Sequence, residues 1–352
     1  MEQKYYDGTK LLSLMDINGK RPEIYISTSN RSAGKTTYFN RFFVNRFLTK
    51  KEKFLLIYRF QDELADVDKK FFDDIQGLFF QNYEMYSRPI GKSKMYELFI
   101  KIKNSDNEGL SCGYAVALNC ADKVKKYSHL LSDVERGLFD EFQSETNHYC
   151  SDEVNKLISI HTSVSRGQGK QVRYVPFYLI SNAVSLLNPY FNALGISERL
   201  KSETKFLKGD GYVLEQNYNE SASTQQKESA FNRAFKKSKY VEYSSMNSYL
   251  NDNTAFIEKI TGNSKYMCTL KYKGSEFAVK SFDELGIIYC DKKVDTNFPR
   301  KISVTTDDHN INYVMLSNYD YFLSNLRYFF EVGVFRFKDL ECKECILKAL
   351  SY

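Results

Sequence analysis

The chain has 352 residues and a formal net charge of +6 at pH 7. Its seven cysteines, an odd number at irregular spacings, argue against a disulfide framework and for a reducing compartment. No run reaches the roughly 20 apolar residues of a membrane span, and the N-terminus MEQKYYDGTK lacks a signal-peptide core, so the expectation is an intracellular protein with no membrane partner.

The length accommodates two domains with sizeable cores. Aromatics are abundant, with 27 Tyr and 27 Phe but no Trp. Residues 251–352 carry 14 Lys+Arg against 14 Asp+Glu, so the whole positive surplus lies in residues 1–250. Such a surplus permits a polyanion partner without requiring one.

In chain order, the first informative stretch is 24–48. The β-branched run Ile24-Tyr25-Ile26 enters a polar turn, Ser27 to Ala33. The turn closes with Gly34-Lys35-Thr36, and a helix is expected from Thr37 to Leu48. Strand, tight turn, GK[ST] and helix is the context of a phosphate-binding loop. Backbone N–H groups of such a turn and the helix dipole favour phosphate charge. The expected ATP-binding set is Ser29, Asn30, Arg31, Ser32, Ala33, Gly34, Lys35, Thr36 and Thr37. Lys35 would reach the β- and γ-phosphates, and the Thr36 hydroxyl would ligate Mg²⁺. One departure stands out: Ser29 replaces the first glycine of G-x-x-x-x-G-K-[ST].

Residues 54–60, 98–102 and 113–119 read as strands. Leu138-Phe139-Asp140-Glu141-Phe142 is an apolar run ending in an acidic pair, the Walker B pattern, although Glu135, Arg136 and Gly137 interrupt it upstream. Asp140 would hold Mg²⁺, and Glu141 would polarise the attacking water. Residues 153–164 have apolar spacing for a helix with one buried face. Residues 172–180 read as a strand, with Pro176 arguing against a central position. Ser181 and Asn182 at its tip are candidate γ-phosphate sensors. Alternating strand and helix patterns indicate an α/β sheet with parallel strands. From about 216 to 253 the chain turns polar, a connector with helix expected over 225–237. Strands are then expected at 267–273, 276–282 and 286–290, and helices near 317–330 and 338–350, giving a second, α+β domain.

The stretches SAGKT (32–36), FDEF (139–142) and SNAVSLLNPYF (181–191), extended by FIEK (256–259) and TTDD (305–308), resemble the DNA-packaging ATPases of small protein-primed tailed phages, the phi29-like encapsidation proteins. The resemblance runs from about residue 24 to the C-terminus. It implies a P-loop ATPase domain of the additional-strand, catalytic-glutamate class (1–200), a linker or lid subdomain (201–253) and a degenerate RNase H-like C-terminal domain (254–352). It also implies a homomeric ring, a pentamer in the family, around double-stranded DNA at the portal vertex of a procapsid in the host cytoplasm, with a structural packaging RNA as a further candidate partner. By position, Arg31 matches the family's basic residue within the loop. Arg166 matches its trans-acting arginine finger. Its signalling lysine falls at Lys125 or Lys126.

Other features carry less. Lys123, Lys125 and Lys126 are candidate DNA contacts, as is the run Arg233, Lys236, Lys237, Lys239, though such runs are usually solvated helix faces. Cys342-x-x-Cys345 lacks a second metal-spaced pair. His129, His148, His161 and His309 enter no triad motif. The rival readings are another ring-forming P-loop enzyme, such as a helicase or a terminase with an active nuclease, and a non-catalytic nucleotide-gated scaffold. Nuclease chemistry needs converging carboxylates. The C-terminal strands offer Lys271, Tyr272, Lys273, Phe277 and Val279 instead, with Asp283, Glu284, Asp307 and Asp308 at strand ends and loops.

Overall fold

The computed structural model describes residues 5–350 apart from 147, 170, 187, 198, 201–203, 236–237, 239–240, 242–255 and 318–319. Two compact units divide the chain at 251/252.

The first unit is built on a nine-stranded sheet. Its strands are β1 (Ile24–Ser29), β2 (Lys53–Tyr58), β3 (Tyr83–Ile90), β4 (Met95–Ile102), β5 (Leu110–Ala117), β6 (Val134–Asp140), β7 (Phe177–Asn182), β8 (Phe206–Gly209) and β9 (Tyr212–Gln216). The order is β3-β4-β5-β2-β6-β7-β1-β9-β8. The six central strands, β5 to β9 in that order, run parallel. The hairpin β3–β4 and strand β8 are added antiparallel at the two edges. A parallel sheet is buried on both faces, so its strands alternate between two cores. Ile26, Leu55 and Ile57 enter one core, while Tyr25, Phe54 and Leu56 enter the other.

One topological detail positions the chemistry. β7 lies between β1, which carries the phosphate loop, and β6, which ends at Asp140. An inserted strand between these two is the additional-strand arrangement expected from the sequence. The register places Ile180 beside both Ser27 and Asp140, so β6 ends within two residues of the ends of β1 and β7 at Ser29 and Asn182. Ligands of open α/β sheets bind at such carboxyl-terminal strand ends.

Several expectations need correction. The strand expected at 172–180 begins at Phe177, because Pro176 lacks an N–H and stays just outside the ladder, where its carbonyl accepts from Gly137. β6 continues through Glu135, Arg136 and Gly137, which were expected to interrupt it. Arg136 is buried and paired with Glu52. A Cβ on Gly137 would lie 2.7 Å from the Phe177 ring, so glycine there lets two central strands pack. Strands β8 and β9 belong to the first sheet, since β9 pairs parallel with β1; the sheet therefore continues past residue 200, where a linker was expected. The helix expected over 225–237 is two short ones, Glu220–Glu228 and Ala230–Ala234, divided where Ser229 caps the second. Of the basic run there, Lys236, Lys237 and Lys239 lie outside the described residues, and Arg233 Nη1 donates to the Glu228 carbonyl. The helix Val67–Phe79 and strand β3 were not anticipated.

The second unit has a five-stranded mixed sheet. Its strands are β10 (Lys265–Tyr272), β11 (Ser275–Phe282), β12 (Ile287–Asp291), β13 (Lys301–Ser303) and β14 (Phe335–Phe337), ordered β13-β10-β11-β12-β14. Helices Tyr321–Glu331 and Leu340–Leu350 contribute Leu326, Cys342, Cys345 and Ile346 to its core. Cys342 and Cys345 are therefore packing residues. No helix among the described residues is long and apolar enough to cross a membrane.

Candidate active site

The phosphate loop leaves β1 at Ser29 and enters the helix Lys35–Lys50. Gly34 precedes that helix at φ 92°, a left-handed conformation that suits glycine. Lys35, at the first helical position, is only 6% exposed. Its Nζ donates to Ser29 Oγ. Ser29, at the position of the first glycine of the usual loop, thus supplies a ligand to the lysine. Burial lowers the Lys35 pKa to about 8, against the opposing pull of Asp140 and Glu215.

The second part of the site arrives from 104 residues away. Thr36 Oγ1 donates to Asp140 Oδ2 at 2.8 Å. Asp140 Oδ1 accepts from the backbone N–H of Glu141 at 2.8 Å. Burial raises the Asp140 pKa, opposed by these hydrogen bonds and by Lys35. Burial also raises Glu141, reinforced by Asp140 and Glu145 and opposed by Arg31. Arg31 is ion-paired with Glu145. Ser181 and Asn182 stand at the tip of β7 and line the same cleft. This cleft, about 710 Å³, also contains Ser32–Thr37, Asp140 and Glu141. Tyr5, Tyr38, Arg41, Leu78 and Phe79 also line it.

A hydroxyl in contact with a buried carboxylate is a pair of hard oxygen donors. That chemistry fits Mg²⁺, which takes one or two protein oxygens and leaves its other positions to phosphate and water.

The sequence did not reveal the supports around this site. Arg59 at the end of β2 is buried and ion-paired with Glu153 at 3.0 Å. Gln143 Oε1 accepts from the N–H groups of Val184 and Ser185 at 3.0 and 2.9 Å, tying the segment after Asn182 to the acidic turn. Glu215 on β9 is buried, accepts from the Tyr6 hydroxyl at 2.7 Å and lies within electrostatic reach of Lys35. The Asn30 side chain pairs with both main-chain groups of Asn219, at 3.0 and 2.9 Å. Gln226 donates to Ser32 at 2.9 Å. These partners are brought together by the sheet and by its connection to residues 217–226, and local spacing carries no sign of them.

Two expected groups lie elsewhere. Arg166 caps the C-terminal end of helix Glu153–Ser165 and lines a separate groove of about 560 Å³ with Lys125, His129 and Ser132. Lys123, Lys125 and Lys126 are exposed on the short helical stretch before β6, and Lys125 pairs with Asp122 at 3.0 Å.

A family profile described as "Podovirus DNA encapsidation protein (Gp16)" matches residues 2–350. The chain belongs to this family. It is 28% identical over 313 residues to the "DNA packaging protein" of Bacillus phage phi29, a match covering 88% of this chain and 87% of the relative. The corresponding protein of Bacillus phage B103 is 26% identical over 315 residues, covering 88% and 90%. Among solved structures, a chain of the bacteriophage phi29 viral genome packaging motor assembly superposes with a TM-score of 0.68 at 23% identity, covering 99% of this chain and all of the other. The encapsidation family, the inserted strand and the cleft together give the chain the P-loop fold of a phage DNA-packaging protein.

Proposed function

We propose that this encapsidation protein is the ATPase of a phage DNA-packaging motor, acting as one subunit of a homomeric ring that drives double-stranded DNA through a portal into a procapsid. The single observation that carries the reading is the contact of Thr36 with Asp140 inside the cleft that holds Lys35 and Glu141. Two segments far apart in the chain meet there with the groups that ATP hydrolysis needs.

In this reading the N-terminus of helix Lys35–Lys50 offers its N–H groups to the phosphates, and Lys35 exchanges Ser29 Oγ for a phosphate oxygen. Thr36 and Asp140 would hold Mg²⁺, which when bound would offset the negative charge of the phosphates. Glu141 orients the attacking water and accepts its proton. Ser181 and Asn182 sit where loss of the γ-phosphate changes their hydrogen bonding. Arg31, held beside the acidic turn by Glu145, is placed to meet charge on the nucleotide. Arg166 is remote from its own subunit's cleft, which suits delivery to a neighbour's site. Lys123, Lys125 and Lys126 are assigned to the DNA backbone or to signalling between subunits. The portal, and a packaging RNA where the phage has one, are the expected docking partners of the assembled ring.

The test is ATP turnover by the purified chain with procapsids and duplex DNA. Glu141→Gln should bind ATP normally and lose turnover by about 10²-fold or more. Lys35→Ala should lose nucleotide affinity itself. Wild-type turnover by Glu141→Gln would refute the assignment.

A further inference from the structure

The turn that follows Asp140 is held from behind by a buried cation. Glu141 has φ 55°, the left-handed region that a residue with a Cβ adopts only when its surroundings require it. Arg59 Nη2 donates to the carbonyl of Glu141 at 3.2 Å and to that of Phe142 at 2.7 Å. Arg59 Nε donates to both carboxylate oxygens of Glu153, at 3.0 and 3.2 Å. Glu153 also accepts from the Tyr190 hydroxyl at 2.7 Å and from the Cys150 N–H at 2.9 Å. Arg59 is 7% exposed and Glu153 is 3% exposed. One guanidinium therefore joins the end of β2, the acidic turn and the first residue of helix Glu153–Ser165, and through Tyr190 the helix Pro189–Ala193.

We propose that Arg59, oriented by Glu153, is a positioning residue for Glu141: it fixes the main chain of the acidic turn so that the carboxylate faces the attacking water. The proposal rests on the assignment of Glu141 above. The geometry requires the planar fork of arginine. One edge is committed to the carboxylate while another reaches two successive carbonyls, and a lysine ammonium at the same position cannot span both. Misplacing a reacting group by about 1 Å costs on the order of 10²-fold in rate, so loosening this turn should appear in turnover while leaving the phosphate loop intact.

The deciding variant is Arg59→Lys, which keeps a cation beside Glu153. In the full-length protein, kcat for ATP should fall by about 10- to 100-fold. KM, and the Kd for a fluorescent ATP analogue, should stay within about threefold of wild type, because Lys35, Thr36 and Asp140 are untouched. Glu153→Gln should show the same kcat-only pattern with a smaller loss, since its amide oxygen still accepts from Tyr190. The double variant Arg59→Met with Glu153→Met removes both buried charges together, which is often neutral for folding. Its kcat should remain low at a wild-type melting temperature.

Full kcat in Arg59→Lys overturns the proposal. So does a parallel loss of kcat and nucleotide affinity in that variant, or recovery of kcat in the double methionine variant, since either would mean that Arg59 serves folding alone. Glu141→Gln run alongside separates the two levels. If it turns over normally, the active-site assignment fails and the proposal fails with it. If it is inactive while Arg59→Lys is fully active, only the positioning role is lost.

Discussion

Lys35 is held out of water beneath the phosphate loop, and burial lowers its pKa to about 8. Phosphate binds the protonated lysine and raises its pKa, so the nucleotide-bound protein carries more protons than the free protein in mildly alkaline solution. Affinity must then fall as pH rises through about 8, approaching tenfold per pH unit while bound Lys35 stays protonated. Nucleotide titrations between neutral pH and pH 9.5 should show this weakening, and an affinity that holds constant to pH 9.5 would disprove it. Glu141 governs the opposite limb. Its pKa is raised by burial, then by Asp140 and Glu145, and is pulled down by Arg31. A general base must be ionised, so turnover is lost as pH falls through this raised pKa. Glu145→Gln removes one of the raising charges, and the acid limb of kcat should move to lower pH; an unmoved limb would disprove that coupling. The sequence singled out Lys35, Thr36, Asp140 and Glu141 by motifs whose spacing reflects their chemistry, and the structure gathers all four in one cleft. Ser29 looked like a departure from the motif, and Asn30 was expected in the nucleotide-binding set. Ser29 Oγ accepts from Lys35, which shows why it is tolerated, and Asn30 pairs with Asn219, 189 residues away.

Among elements, the central strands show how glycine was misread. Gly137 looked like a break in the Walker B strand, because an isolated glycine weakens a strand pattern. It is a packing residue: a Cβ there would meet the Phe177 ring at 2.7 Å. Gly113 on β5 is more constrained, since its Cβ would lie 2.2 Å from the Phe54 carbonyl oxygen on the paired strand β2. A ring can turn aside, whereas a sheet carbonyl moves only if the ladder moves. Gly137→Ala should therefore cost about 1–3 kcal/mol, the usual range for overpacking. Gly113→Ala should cost more, and denaturant unfolding of both variants would measure the order. Equal losses would mean that the β2–β5 pair gives way as easily as the ring. Strand β3 and the helix Val67–Phe79 escaped the sequence reading. β3 is an edge strand of mixed polarity with no fully buried position, so its apolar alternation is diluted, whereas the helix buries Val67, Phe71, Phe72 and Ile75 at a helical spacing that the sequence does carry.

At the scale of the whole chain, the division into two units and the α/β nature of the first were legible, because composition shifts and the strand–helix alternation extend over many residues. The end of the first sheet was not. β9 joins by pairing parallel with β1 across nearly the whole unit, and no local signal records such a partner. Charge divides along the same line, for the positive surplus lies entirely in residues 1–250. In the second unit the candidate carboxylates are engaged locally. Asp283 is paired with Lys265, and Asp308 accepts from the N–H groups of Lys273 and Gly274 at 2.9 Å each. In the proposed function DNA contact falls to the first unit, and packaging every sequence of a genome would require contacts to the backbone. Each phosphate neutralised releases counterions, and log affinity falls with log salt by about 0.9 per contact. Replacing exposed Lys123, Lys125 and Lys126 together by Ala should flatten that slope by up to about 3, to a similar extent on any duplex of equal length. Charge reversal at Lys293 or Lys338 in the second unit should leave the slope within about 0.5 of wild type, less than one contact. DNA binding by the full-length protein, titrated across salt on two scrambled duplexes, decides the matter: an unchanged slope in the triple variant would move the DNA-binding surface off the stretch before β6, and a strong preference for one duplex would exclude a backbone grip.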